Sequence, residues 1–501
     1  MQNKLGQVFT NQKVVEFILD EIDFFHKNCL QKTIIDITCG DGAFLTAIVK
    51  RIIKYSTNEE FKTNLTFIHG WDIDKNQIEK CKENLNQIYE TNWNIENCDA
   101  LIKGLRTDNI YDLVIGNPPY ISYNESCKQN IEIIKQIKKR HIKMSNIFGI
   151  NLNSTPYKTK TYPPKPNLYA FFIALGYKII KEDGMLCYLI PQTILTANDL
   201  DVLRYHFSHF STIEKIIIFD NNLFDVPTSS LIIIIKKSKY DEKHLVKIIK
   251  NNNEKTILQK KLKNNIDNWN FITKPSKVFN FLETYQKNTE SFDVYRLFEK
   301  SVPRYNDKFY FDVGFILNKE HFKDENDGNC YEILDFKNIK GYSDFKATKF
   351  YPKNTNLIKL TRSNQGYKTL NKKYSIVWRI KNNTGFKLIN KPIIFNMGTA
   401  GIITSNNQQE MLYLFSLLNS KINTFILKMY LKIPNEKDYL VSILSIKKYI
   451  RIPKITINNK HIKDEIIEKT KKLLESNTNE QMLLKKEIDK KISNLYTDKS
   501  N

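Results

Sequence analysis

The first 240 residues alternate short β-branched or aliphatic runs with amphipathic stretches, and this alternation constrains the fold more than any other feature of the chain. Apolar runs of four to seven residues bounded by Gly, Asp or Asn read as buried strands, and helical spacing between them reads as crossover helices. Strands are predicted at residues 33–37, 65–73, 111–115, 185–190, 213–219 and 230–235, with a further short one before Asn97. Helices are predicted at 43–53, 75–89, 168–180 and 195–210. The last two strands lie close enough in sequence to pair as a hairpin. The sum is an α/β fold, a largely parallel sheet covered by helices, whose ligands bind beyond the carboxyl ends of the strands.

At 501 residues the chain is too long for one compact core, so two domains are expected. Residues 1–240 form the first, with a long insertion at 121–166. Residues 241–290 read as a linker, because the sequence turns Lys- and Asn-rich there. Residues 291–501 form the second, of mixed α+β character, with helical spacing at 411–427 and one or two C-terminal helices over 463–496. No repeat of 20–50 residues is present.

Lys and Arg number 77 against 54 Asp and Glu, a formal net charge of +23. Such an excess suits a polyanion, because each neutralised phosphate releases counterions. A coding bias toward A and T enriches Lys, Asn and Ile equally well, so charge suggests nucleic acid without establishing it. The seven Cys fall at irregular spacings with no C-x-x-C pair, which argues against a zinc knuckle or a disulfide framework and for a reducing compartment. The N-terminus lacks a basic-then-apolar leader, and no apolar run approaches the ~20 residues of a membrane span. A cytoplasmic protein is expected.

The strand ends carry the chemistry. Asp36 and the turn Cys39-Gly40-Asp41-Gly42 close the first strand, and glycines there let backbone amides approach a ligand. The spacing is neither the dinucleotide G-x-G-x-x-G pattern nor a Walker loop, so NAD and ATP lose ground. Asp72 ends the second strand, where an acid accepts from ribose hydroxyls; it would equally serve as a helix N-cap before Lys75. Asp99 follows the third strand and either accepts from an adenine amine or ends a turn.

The fourth strand runs into Asn117-Pro118-Pro119-Tyr120. An exocyclic amine is a poor nucleophile because its lone pair is delocalised into the ring. The Asn117 side-chain oxygen and the Pro118 carbonyl can each accept one amine hydrogen, which leaves the lone pair aimed at a methyl donor. The prolines remove amide donors and fix φ. Tyr120 offers a face for stacking a base flipped from a duplex.

On these residues the chain resembles the gamma-class, TaqI-like adenine-N6 DNA methyltransferases of restriction-modification systems. The resemblance covers the first ~240 residues in motif order. Gly6 to Thr10, Asp36 to Leu45, Asp72, Asp99, the tetrapeptide, Asn167 to Phe171, Gly184 to Pro191, and Leu223 to Val226 match in turn. It implies a Rossmann-like S-adenosylmethionine-dependent methyltransferase sheet with a C-terminal α+β target-recognition domain. Thr10 would touch the methionine part, Asp36 the methionine amino group, Cys39 and Gly40 the cofactor turn, Asp72 the ribose and Asp99 the adenine. Phe224 would pack on the flipped base from the side opposite Tyr120. Ala100 stands where some relatives carry a larger apolar residue against the cofactor adenine.

No metal is expected, since the amine proton can leave to solvent. Double-stranded DNA, a separate restriction endonuclease acting on the same site, and a monomeric state are implied. In the second half Arg362, Asn364 and Arg379, with Ser363, Lys368 and Lys381, have side chains that read bases or hold phosphates. Asn-Pro-Pro-Tyr also serves enzymes that methylate a glutamine amide in release factors or guanine amines in ribosomal RNA. Those usually carry an N-terminal extra domain, for which a first motif at Gly6 leaves no room. The same position argues against a fused nuclease, and the tetrapeptide argues against a specificity subunit without turnover.

Overall fold

The computed structural model describes residues 10–57, 60–120, 148–150, 167–219, 229–250, 253–263, 268–291, 309–354, 356–359, 370, 372–381, 385–431 and 439–497. The chain divides into two compact units, Met1–Lys274 and Pro275–Asn501.

In the first unit the described strands are β1 (Ile34–Asp36), β2 (Ile68–Asp72), β3 (Asn94–Asn97), β4 (Tyr111–Gly116), β5 (Ile180–Pro191), β6 (Thr212–Ile218), β7 (Ser230–Lys236), β8 (Leu245–Lys250) and β9 (Asn253–Leu258). They form one sheet in the order β3-β2-β1-β4-β5-β7-β6-β8-β9. The pairs from β3 to β5 are parallel. β7 inserts antiparallel between β5 and β6. All of β7 but its last residue is buried, which explains its unbroken aliphatic sequence. The expected hairpin pairing of β6 and β7 is present.

The helices are α1 (Gln12–Glu21), α2 (Ala43–Tyr55), α3 (Glu60–Leu65), α4 (Lys75–Asn86), α5 (Ala100–Lys103), α6 (Leu168–Ile179) and α7 (Asp201–Phe210). α1, α2 and α4 bury Val15, Ile48, Ile78 and their neighbours in one core cluster with Ile34, Ile68 and Ile115 of the sheet. Every residue of α6 except Lys178 is buried. Lys178 turns its ammonium onto the carbonyls of Gly104 and Thr107, at 2.8 and 2.6 Å, satisfying the end of α5. The helix expected over 195–210 is shorter, with 3₁₀ turns at Gln192–Leu195 and Asn198–Leu200 leading into α7.

The stretch expected as a linker carries structure instead. β8 pairs in parallel with β6, and β9 closes the edge antiparallel. The Lys and Glu that made 245–258 look like a linker belong to the last two strands of the sheet, and Lys247 bridges Glu254 across the pair at 2.8 Å. The unit boundary at Lys274/Pro275 precedes a helix at Ser276–Lys287.

The second unit holds an antiparallel sheet ordered Tyr310–Asp312, Ala400–Ser405, Tyr374–Arg379, Lys387–Ile389, and a three-stranded sheet ordered Phe350–Pro352, Cys330–Ile333, Ile393–Ile394. Trp378 is fully buried, donates to the Val441 carbonyl at 2.7 Å and fills the space over Gly401, where a Cβ would lie 2.1 Å from its ring. The helical stretch expected at 411–427 is two helices, Gln408–Asn419 and Lys421–Leu431. Ser420 is extended between them, and Asn419 spends its amide on both backbone groups of Phe386. Helices at Lys460–Glu475 and Thr478–Thr497 pack together at the C-terminus. Among the described residues no helix is long and apolar enough to cross a membrane.

Candidate active site

β1 has β2 on one side and β4 on the other, so the strand order reverses there, and in such sheets ligands bind beyond the carboxyl ends of the strands at that point. Asp36, Gly40, Asp72, Asp99 and Asn117 all stand at or just beyond strand ends on that side of the sheet.

Asp36 is 2% exposed and accepts from the Thr38 N–H at 2.9 Å. Burial pushes its carboxyl up to about 7; the Thr38 N–H opposes this, and the nearby Asp72 charge adds to it. Gly116, at the end of β4, lies directly against it: a Cβ there would sit 2.5 Å from Asp36 Oδ1. No other residue fits at that position without displacing the carboxylate.

Asp72 holds the Gly40 turn. Its Oδ2 accepts from the Gly40 N–H at 2.9 Å and its Oδ1 from the Asp74 N–H at 2.9 Å. Burial raises its carboxyl, and those two N–H donors hold it down. Capping of α4 falls to Asp74, which accepts from Asn76 N–H at 2.9 Å. Gly40 has φ +53, and no atom lies within 4 Å of the position its Cβ would take. The turn is therefore left-handed and open above. Cys39 contributes only backbone: its thiol is buried in the core cluster near Gly70, and its N–H donates to Trp71 at 2.9 Å.

Asp99 N-caps α5, accepting from Leu101 and Ile102 N–H at 3.0 and 3.3 Å with the same oxygen. Burial raises its carboxyl against those donors.

Asn117 Nδ2 donates to Thr10 Oγ1 at 3.2 Å, across 107 residues of sequence. The bond ties the first motif to the tetrapeptide. With its nitrogen engaged by Thr10, the amide offers its oxygen as acceptor. Pro118 is buried, while Asn117, Pro119 and Tyr120 are half-buried. The Tyr120 hydroxyl donates to the Leu189 carbonyl at 3.1 Å, and its ring meets Tyr169 edge to face at 6.4 Å. Tyr169 is held in turn by Thr193 at 2.7 Å. Burial carries the Tyr120 phenol well above its ordinary range, so it acts as a neutral donor.

Thr10, Asp36, Gly40, Asp72, Asn117 and Tyr120 thus converge at the sheet ends, with Cys39 present through its backbone and Asp99 as a cap. Phe224, Arg362 and Asn364 lie outside the described residues. Arg379 belongs to the second unit, with its guanidinium over the Phe336 ring at 5.3 Å. Gly116 and Tyr169 were not singled out in the sequence as site residues. Gly116 immediately precedes the tetrapeptide, and Tyr169 lies inside the 167–171 motif, so both signals were present.

Residues 42–224 match the model of the Eco57I restriction-modification methylase family. Over that stretch the chain is similar to a restriction-modification methylase domain. The type II methyltransferase M.VspI of Vibrio sp. (strain 343) is 24% identical over 281 residues, covering 56% of this chain and 57% of that protein. Modification methylase CviBIII of Paramecium bursaria Chlorella virus NC1A is 25% identical over 242 residues, covering 47% and 51%. The chain thus spans about half the length of these curated relatives. The cryo-electron microscopy structure of a DrdV–DNA complex superposes with a TM-score of 0.52 at 12% identity, covering 94% of this chain and 57% of that one, a likeness of fold. S-adenosylmethionine is the cofactor that the sequence resemblance implies for this site. The residues fit it: the left-handed glycine turn is open where a Cβ would lie, half-buried Asp72 accepts from its Gly40 N–H, and the carboxylate of Asp36 is buried at the end of the strand that leads into it.

Proposed function

We propose that the chain is a site-specific DNA methyltransferase that methylates the N6 amine of an adenine flipped out of double-stranded DNA, protecting that DNA from a separate restriction endonuclease. The bond from Asn117 to Thr10 carries the reading, because it joins the amide expected to grip the amine to the motif expected to hold the methionine part. In this reading Asp36 takes the methionine amino group, Asp72 the ribose hydroxyls and Asp99 the adenine edge of the cofactor. The bound cofactor supplies an electrophilic methyl on a sulfonium.

The chain's own residues do the rest. Asn117 Oδ1 and the Pro118 carbonyl accept the two amine hydrogens and draw the lone pair out of the ring plane. Tyr120, its hydroxyl anchored on Leu189, presents its ring to the extruded base and offsets part of an unpairing cost of a few kcal/mol. The proton leaves to solvent after transfer. Residues 275–501 serve as the target-recognition domain, Phe224 closes on the base from the far side, and the protein works as a monomer.

The test is adenine-methylation sequencing of DNA from cells expressing the wild-type protein or Asn117→Ala. Wild type should mark adenine in one defined sequence. Asn117→Ala should mark none, while binding S-adenosylmethionine within about threefold of wild type by calorimetry, since at ~1.4 kcal/mol per factor of ten the lost Thr10 bond is a small part of cofactor affinity. Methylated cytosine, or unmodified DNA with methylated protein or RNA in its place, would falsify the adenine reading.

A further inference from the structure

The second unit displays a turn at 396–399 that the catalytic reading does not use. It is held from several sides. Asn396 Oδ1 accepts from Leu317 N–H at 2.9 Å, the Thr399 hydroxyl donates to the Asn396 carbonyl at 2.7 Å, and Met397 N–H donates to the Phe315 carbonyl at 2.8 Å. Gly398 takes φ +82, and open space lies where its Cβ would be. This rigid turn presents Met397 at 49% exposure, beside Ile316 at 47%.

Cations stand on the hydrogen-bonded neighbours of the turn. Ile316 bridges Lys359, and Ile380, which donates to the Thr399 carbonyl at 3.4 Å, lies between Arg379 and Lys381. Lys359 and Lys381 are exposed, and neither they nor Arg379 forms an ion pair among the described residues. No acidic residue occurs in 315–316, 359, 379–381 or 396–399. An apolar tip on a stiff turn, with exposed lysines on its hydrogen-bonded neighbours, matches a polyanion with an apolar interior. Duplex DNA has that chemistry: cations hold phosphates, and an apolar wedge meets base edges or a base step.

We infer that the 396–399 turn is a DNA-reading element, with Met397 against the bases and Lys359 and Lys381 on the backbone. The inference rests on the proposed action on DNA. It is tested with full-length protein on a short duplex bearing the sequence that wild type methylates. Lys359→Glu with Lys381→Glu should weaken duplex binding at least tenfold and reduce the slope of log affinity against log salt by about 2, given a slope of ~0.9 per phosphate contact. Affinity for S-adenosylmethionine and thermal stability should not change. Met397→Ala should keep cofactor binding and lose at least fivefold of the discrimination against single-base mismatches. A double-lysine variant with wild-type affinity and salt slope overturns the assignment, as does a Met397→Ala protein with wild-type discrimination. If the wild-type protein methylates no DNA, the functional reading itself fails; if it does and the variants match it, only the role of the turn fails.

Discussion

At the scale of single residues, the site is governed by contacts too close for substitution. Gly116→Ala would drive a methyl group into the Asp36 carboxylate. Overpacking of this kind costs on the order of 1–3 kcal/mol. The expected outcome is a lower melting temperature and an S-adenosylmethionine dissociation constant raised at least tenfold, both measurable without DNA. Asp36 itself makes a pH prediction. Its folded pKa lies above the unfolded value near 3.9, so the folded state favours the protonated acid. Stability from this group is therefore full below about pH 4 and is lost as pH rises toward 7. Asp36→Asn removes that loss. Cofactor-free Asp36→Asn should melt higher than wild type at pH 8, and the gap should shrink at pH 5. A gap of the same size at both pH values would refute the assignment of burial as the cause. Cofactor binding should weaken in the same variant, because a methionine ammonium needs the ionised acid.

At the scale of elements, two neighbouring acids after β2 divide two jobs that the sequence left open. Asp72 holds the Gly40 turn, and Asp74 caps α4. Asp74→Ala should cost about 1 kcal/mol of stability, as loss of an N-cap does, with little change in cofactor affinity. Asp72→Ala should do the reverse in emphasis, raising the cofactor dissociation constant beyond what its stability loss explains. Calorimetry and urea melts on the pair separate the two. The strand and helix types around them were legible because each depends on local patterning, such as the aliphatic run of β7 or the apolar stripe of α2. β8 and β9 were not legible. Only three of their twelve residues are buried, so Lys, Glu and Asn dilute the period-two signal. The break at Ser420 was missed for a related reason. Leu and Phe continue at helical spacing through it, whereas the break is held by polar bonds that this spacing does not record: Asn419 to Phe386, Lys421 N–H to Asp489, and Asn423 N–H to the Ser420 hydroxyl.

At the scale of the whole molecule, each of the two units closes its own core. In the second unit a buried polar cluster joins segments far apart in sequence. Tyr285 donates to Asn423 at 3.0 Å, Asn423 donates to the Tyr496 hydroxyl at 2.9 Å, and Tyr496 donates to the Arg451 carbonyl at 2.7 Å. The rings of Tyr285 and Tyr496 stack at 5.0 Å. Tyr496→Phe would leave the Asn423 amide and the Arg451 carbonyl short of a partner inside the core, at a cost of ~1–3 kcal/mol. The transition that reports the second unit should move to lower urea, while cofactor binding stays at the wild-type value.

Sequence alone determined the α/β class of the first unit and the chemistry at its strand ends, because both are written in short windows: a β-branched run, a glycine turn, an amide before two prolines. Only the tertiary structure decided which of those groups meet. Thr10 reaches Asn117 across 107 residues, β7 slips between β5 and β6, and Gly116 clears the space that Asp36 occupies. Such meetings depend on how distant segments pack and pair. No local periodicity carries that information, since a strand shows which faces it buries and not which neighbour it will bury them against.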